Sequence, residues 1–244
     1  MAAVKVAWVT GGARRIGAAI ARALHPDHDI VLHCHRSVSE AGALADELNG
    51  ARPDSCRVFA ADLCDLDQLA GLIGAVRPWR ASVDVLVNNA SSFYDTPLAA
   101  LTPGQWDDLL NANLRAGFFL AQRLAEPLRS AGGAVVNLGD ARADGGIAER
   151  APYAVAKAAV HAMTRALAVE LAPEVRVNAV APGAILWPEP GSGAETCPEE
   201  ILDRLPIRRT GTPGEIAAAV RFVIGASYLS GQILAVDGGW QAMH

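Results

Sequence analysis

The amino-acid sequence predicts one doubly wound α/β domain, a seven-stranded parallel sheet with helices packed on both faces. Three observations lead there. Short apolar runs rich in β-branched residues alternate with helical patterns from end to end, and such alternation builds parallel sheets through crossover connections. The first apolar run ends in a glycine-rich corner that opens a helix. The 244 residues contain no repeat, low-complexity tract or composition break, so residues 1–244 read as a single unit.

Each element follows from local pattern. Val4 to Val9 is short, apolar and stopped by Thr10-Gly11-Gly12, which suits a buried strand. A helix is expected over Arg15–Leu24, a strand over Asp29–His35 and a helix over Val38–Asn49. A strand over Arg57–Ala60 precedes a helix over Asp65–Val76, and Val83–Val87 forms the next strand. A long helix is expected over Asn111–Arg129, then a strand over Ala134–Leu138. A second long helix spans Pro152–Leu171, with Pro152 in the first turn, where a missing N–H costs nothing. Val175–Val180 and Ile233–Val236 close the sheet, with a helix over Pro213–Ile224 between them. Pro188, Pro190, Gly191, Ser192, Gly193 and Pro198 make Leu186–Arg204 a loop, with a short helix near Pro198–Leu205. Ala154, Ala158, Ala159, Ala162, Ala166 and Ala168 let the second long helix approach a neighbour closely. That neighbour is either the sheet or another subunit, and periodicity does not separate the two.

Composition excludes several classes. Hydrophobic residues are 51% and charged residues 19%, which excludes a disordered chain. The net charge is -5, and no lysine/arginine cluster exceeds a pair, so no nucleic-acid surface is expected. The longest charge-free run, Phe222–Val236, is too short and too rich in glycine and serine for a membrane helix. No leader pattern precedes the first strand, and a cytoplasmic location is expected. Cys34, Cys56, Cys64 and Cys197 form no CxxC pair and read as buried free thiols. His33-Cys34-His35 resembles a metal tag, but in a strand Cys34 points away from the two histidines and no second cluster supports it. No metal is expected.

The chemistry-bearing residues fall at strand C-terminal ends, which line the ligand crevice of an open α/β sheet. Thr10-Gly11-Gly12-Ala13-Arg14-Arg15-Ile16-Gly17 combines a glycine turn, a helix start and two cations. Free N–H groups and the helix dipole make such a corner a pyrophosphate site. The second strand ends in His35-Arg36-Ser37, where an acid would mark NAD. Arginine and serine suit a 2′-phosphate instead, which points to NADPH/NADP. Asp62, Asn88-Asn89-Ala90-Ser91, Asp140 and Pro182-Gly183 end four further strands. Tyr153 and Lys157 lie four apart on one helix face. A lysine ammonium there is expected to pull the phenol pKa toward working pH, giving a proton donor.

These features together resemble the short-chain dehydrogenase/reductase family over essentially the whole chain. The matching motifs are the glycine turn, Asp62, Asn88-Asn89-Ala90, Asn113, Tyr153-x-x-x-Lys157, Pro182-Gly183 and Val236-Asp237-Gly238-Gly239. The resemblance implies a Rossmann fold in which Asn113 props a water and the catalytic lysine. It implies that Lys157 also binds the nicotinamide ribose, that Asp62 and Leu63 hold the adenine, and that two long helices build a tetramer. The family's common pattern is TGxxxGxG, but Arg15 stands at the middle glycine. The family's serine, thirteen residues before the tyrosine, is Asp140. Both departures are similar to the pteridine reductase branch, as are His35-Arg36-Ser37 and Asn88 through Tyr94. In that branch Ser91 and Phe93 would meet a pterin, with the ring sandwiched between Phe93 and the nicotinamide. Arg15 would reach both cofactor phosphate and pterin. The expected activity is NADPH-dependent reduction of a dihydropteridine such as dihydrobiopterin, dihydromonapterin or dihydrofolate. The alternatives are a 3-oxoacyl thioester or other carbonyl reductase, and a non-catalytic NADP-binding sensor. Trp187, in the family's substrate-lid segment at 184–205, either contacts substrate or anchors that loop.

Overall fold

The computed structural model describes residues 4–187 and 198–243. Its seven strands are β1 (Lys5–Val9), β2 (His28–Cys34), β3 (Cys56–Ala60), β4 (Val85–Asn88), β5 (Ala134–Leu138), β6 (Arg176–Pro182) and β7 (Ile233–Val236). All pair in parallel, in the order 3-2-1-4-5-6-7. The order reverses between β1 and β4, which opens a crevice at their C-terminal ends.

Alternation along β1 shows how the layers form. Ala7 and Val9 face a cluster built with α1 (Arg15–Leu24), α2 (Val38–Ala51) and α9 (Pro213–Gly225). Val6 and Trp8 face the opposite cluster, which holds α3 (Leu66–Val76) and α7 (Ala151–Glu170). Helices thus cover both faces, and every residue of β2 is buried. One polar network pins the opposite end of the sheet. Asp29 is 1% exposed and pairs with both Arg52 and Arg80, the latter at 2.6 Å.

One expectation is corrected. The predicted helix over 111–129 is three pieces, a π-helical turn (Asn111–Arg115), α5 (Ala116–Arg123) and α6 (Ala125–Ala131), and it runs on without a break from an earlier helix, α4 (Pro103–Leu110). The cause lies in Asn113, whose Nδ2 donates to the Leu109 carbonyl at 2.9 Å, inside the backbone ladder. The early start follows from a capping box, in which Thr102 Oγ1 accepts from Gln105 N–H and the Gln105 side chain accepts from Thr102 N–H. Gly132, left-handed at φ 60°, ends α6. The short helix after the loop is α8 (Pro198–Asp203). Pro188, Pro190, Gly191, Ser192, Gly193 and Cys197 lie outside the described residues. Cys34 and Cys56 are buried free thiols, and Cys64 is half-buried.

Candidate active site

The structure brings the sequence-predicted residues together along the C-terminal edge of the sheet. Gly11 follows β1, Arg36 follows β2, Asp62 follows β3, Asn89 follows β4, Asp140 follows β5 and Gly183 follows β6.

The glycine turn is built as a tight cradle. Gly11 has φ 59°, and a Cβ on Gly17 would stand 2.2 Å from the Gly11 carbonyl. Only glycine lets α1 start this close to the turn. Asn89 Nδ2 donates to the Thr10 and Gly11 carbonyls at 2.9 and 3.0 Å. Thr10 Oγ1 accepts from the Asn89 and Ala90 N–H groups. Arg15, at the family's glycine position, has φ 53°, a conformation that disfavours a residue with Cβ. Its guanidinium donates to the Leu186 and Trp187 carbonyls at 3.2 and 3.0 Å, tying the turn to the segment after β6. Arg14 pairs with Glu40 at 3.8 Å, both about half exposed, a contact worth at most about 1 kcal/mol. Ile16 is half-buried against the core.

His33 is a contributor that the sequence reading missed. Its Nδ1 accepts from Gly11 N–H at 3.2 Å, so Nε2 carries the hydrogen and donates to the Ala61 carbonyl at 3.0 Å. Burial holds its pKa below the usual histidine value, which keeps the ring neutral. A polar residue deep in the apolar run Ile30-Val31-Leu32 was the available signal. His33 and His35 do not share an environment: His33 is 2% exposed, while the strand ends at Cys34 and His35 is on the surface. His35 and Arg36 are exposed beside half-buried Ser37. Among the described residues Arg36 has no ion pair. This donor set, with no acid at residues 35–37, fits a dinucleotide carrying a 2′-phosphate. Asp62 accepts from Cys64 N–H at 2.9 Å, and Leu63 is buried beside it. Burial first, then the Asp62 charge, pushes the Cys64 thiol up to about 11, so it is no nucleophile at neutral pH.

Asp140, Tyr153 and Lys157 form the candidate reacting centre. Tyr153 Oη donates to Asp140 Oδ2 at 2.9 Å, and Asp140 Oδ1 accepts from Arg142 N–H at 2.8 Å. Lys157 Nζ donates to the Leu138 carbonyl at 2.8 Å and lies 5.9 Å from the Tyr153 ring centroid. The expected downward pull of Lys157 on the phenol is not met. Burial chiefly, then the Asp140 charge and hydrogen bond, hold the Tyr153 pKa well above the usual tyrosine value. Burial lowers Lys157 to about 8, against an opposing pull from Asp140. Asn113 Nδ2 donates to the Ser92 carbonyl at 2.9 Å. Its buried Oδ1, like that of Asn88, has no hydrogen-bond partner among the described residues. Asn88, Asn113, Asn137 and Lys157 line a cavity of about 10 Å³, room for roughly one water. Phe93 meets the Tyr153 ring at 77° with centroids 4.8 Å apart. Ser91 is exposed, and Pro182 and Gly183 are half-buried.

Among the described residues no group of three histidine, cysteine or acidic side chains is placed to hold a metal, and no helix is long and apolar enough to cross a membrane. Residues 11–241 match the family model described as Enoyl-(Acyl carrier protein) reductase. The chain is 33% identical to pteridine reductase 1 of Leishmania tarentolae over 278 aligned residues, covering 96% of each protein. It is also 33% identical to the 3-oxoacyl-(acyl-carrier-protein) reductase FabG of Staphylococcus aureus, covering 98% of this chain and 99% of the other. To the 3-oxoacyl-(acyl-carrier-protein) reductase MabA of Mycobacterium tuberculosis it is 35% identical, covering 97% and 92%.

Proposed function

The chain belongs to the short-chain dehydrogenase/reductase family, and on that premise we propose that it reduces a dihydropteridine ring with NADPH. The observation that carries this reading is the 2.9 Å hydrogen bond from Tyr153 to Asp140. Where a serine hydroxyl would donate to a developing oxyanion, a carboxylate can only accept when ionised. A ketone offers no hydrogen to accept, whereas a pterin presents ring N–H and amino groups.

When bound, NADPH supplies the hydride. The residues that would hold it are Gly11, Arg14, Arg15, Ile16 and Gly17 at the pyrophosphate, and His35, Arg36 and Ser37 at the 2′-phosphate. Asp62 and Leu63 would hold the adenine. Asn89, Ala90, Ser91, Lys157, Pro182 and Gly183 would hold the nicotinamide half. Tyr153, kept as a phenol by burial and by Asp140, has a proton to give at neutral pH. It passes that proton to the ring nitrogen of the reduced C=N bond, while Asp140 accepts from the substrate's N–H groups. Asn113 and Lys157 line the cavity that would hold a water to restore the proton. Ser91, Phe93 and Arg15 frame the ring. NADPH rather than NADH, a homotetramer and a cytoplasmic location complete the reading.

A second reading, reduction of a 3-oxoacyl thioester or another carbonyl, draws on the equal identity to FabG and pteridine reductase 1. A non-catalytic NADP-binding sensor is disfavoured by the complete set Asn113, Tyr153 and Lys157. The deciding experiment is kcat/KM with NADPH for dihydrobiopterin and for an acetoacetyl thioester. Dihydrobiopterin should be preferred. Efficient thioester turnover with poor pterin turnover would replace this reading with the second, and turnover of neither would favour the sensor.

A further inference from the structure

The wall that carries Phe93 is clamped to the catalytic helix by a buried ion pair. Residues 89–97 leave β4 with no regular secondary structure, so side chains must hold them. Alternate residues of such an extended stretch point to opposite sides. Tyr94 points toward α4, where its hydroxyl donates to Asp108 Oδ2 at 2.8 Å. Phe93 and Asp95 point the other way, and one residue meets both. Arg150 Nε donates to Asp95 Oδ1 at 2.6 Å, and its guanidinium carbon stands 4.8 Å from the Phe93 ring centroid. The two charged side chains are only 8% and 17% exposed. Arg150 directly precedes α7, one helical turn before Tyr153. The Thr96 N–H donates to the Glu149 carbonyl at 2.6 Å alongside.

We propose that Arg150 and Asp95 are positioning residues that set the angle of Phe93 against Tyr153, and thereby the enzyme's preference for a flat ring. The inference rests on the reading that Phe93 stacks on the substrate. A planar guanidinium suits both tasks, since it lies flat on an aromatic face and forks toward a carboxylate. Because the clamp starts from the helix that bears Tyr153, the ring wall and the proton donor move as one body.

The test uses the full chain with R150M, D95N, F93L and the double variant F93L/R150M. R150M and D95N should each raise the dihydrobiopterin KM about tenfold, the scale of one aromatic contact, while kcat falls less than about threefold. F93L should show a similar rise, and R150M should add little to it. A loss confined to kcat, or an R150M effect as large in the F93L background as in the wild type, would overturn the proposal. Thermal unfolding of the same proteins judges the clamp without substrate. Arg150 and Phe93 should give Tm shifts smaller in the double variant than their sum, and additive shifts would refute contact between them. If the wild type does not reduce dihydrobiopterin, the pteridine reading falls and the unfolding cycle alone decides the clamp.

Discussion

Asp140→Asn separates charge from shape at the reacting centre. Asparagine keeps an oxygen that can accept from Tyr153 at the observed 2.9 Å; it removes the negative charge and, with an amide nitrogen in place of the other oxygen, the acceptor for the Arg142 N–H. The Tyr153 pKa should fall, because the Asp140 charge that disfavours the phenolate is gone. It should still stay above the ordinary value, because burial, the larger cause, is untouched. Lys157 moves the same way: Asp140 supports its ammonium, so Lys157 should drop below about 8. In the wild type the ammonium exists on the acid side of about 8, so pterin turnover should decline as pH rises through that value. In the variant the decline should begin at lower pH. The assay is the pH dependence of kcat/KM for dihydrobiopterin with NADPH. A general acid-base group commonly contributes about 100- to 10,000-fold. Asparagine retains part of the hydrogen bonding, so the loss expected at pH 7 is about one to three orders of magnitude. An unchanged alkaline limb together with unchanged turnover would refute the assigned electrostatics.

Four further outcomes are expected. Arg36→Ala should raise the NADPH KM about tenfold or more and leave the NADH KM nearly unchanged, and wild-type kinetics equal for both cofactors would contradict the 2′-phosphate site. Tyr153→Phe should lower kcat on the order of a hundredfold or more with little change in NADPH affinity by fluorescence titration; near-normal turnover would move the proton relay to water and Asp140. Asp29→Ala leaves Arg52 and Arg80 without their shared carboxylate; both guanidinia keep solvent access and carbonyl acceptors, so the cost in denaturant unfolding should be about 1.5–3 kcal/mol. His33 has its pKa depressed by burial, so its contribution to stability is fully present above the unfolded value of about 6.5 and is lost as pH falls below it. A His33→Leu variant should show a flatter loss of Tm between about pH 6.5 and 5 than the wild type.

The strands were legible because a sheet covered on both faces needs unbroken apolar runs, and those survive in the sequence as Val6–Val9, Ile30–Leu32 and Val135–Val136. The strand-end positions of Gly11, Asp62, Asp140 and Gly183 followed from those runs. The start of α4 was also written locally, in Thr102-Pro103-x-Gln105, and went unread. The π turn was not legible. It depends on Asn113 bonding both its own helix and the distant Ser92 carbonyl, a tertiary contact that no periodicity encodes. The same holds for the tyrosine. Spacing placed Tyr153 and Lys157 on one face, but the direction of the pKa shift depends on where the ammonium points. Here it points to the Leu138 carbonyl, and burial with Asp140 decides the phenol.

The strand order explains how one scaffold can change substrate without losing its cofactor half. The turn after β1 is cross-linked to β4 through Thr10 and Asn89 and to β2 through His33. These bonds are made largely to backbone groups, so they survive substitution at the other end of the crevice. The part of the crevice that carries Phe93 is fastened separately, by Asn113 on Ser92 and by Arg150 on Asp95 and Phe93. Asp140 belongs to that second set: its contacts are Tyr153 and the Arg142 N–H, none of them in the glycine turn. Replacing serine by aspartate at this point therefore changes which hydrogens the site can accept while the dinucleotide cradle stays as built. Arg15 crosses from the first set toward the second, through the Leu186 and Trp187 carbonyls. Its left-handed backbone costs on the order of 1 kcal/mol or more that glycine would avoid. A residue kept at that cost where glycine would be unstrained is expected to act through its side chain, and this one joins the glycine turn to the segment after β6.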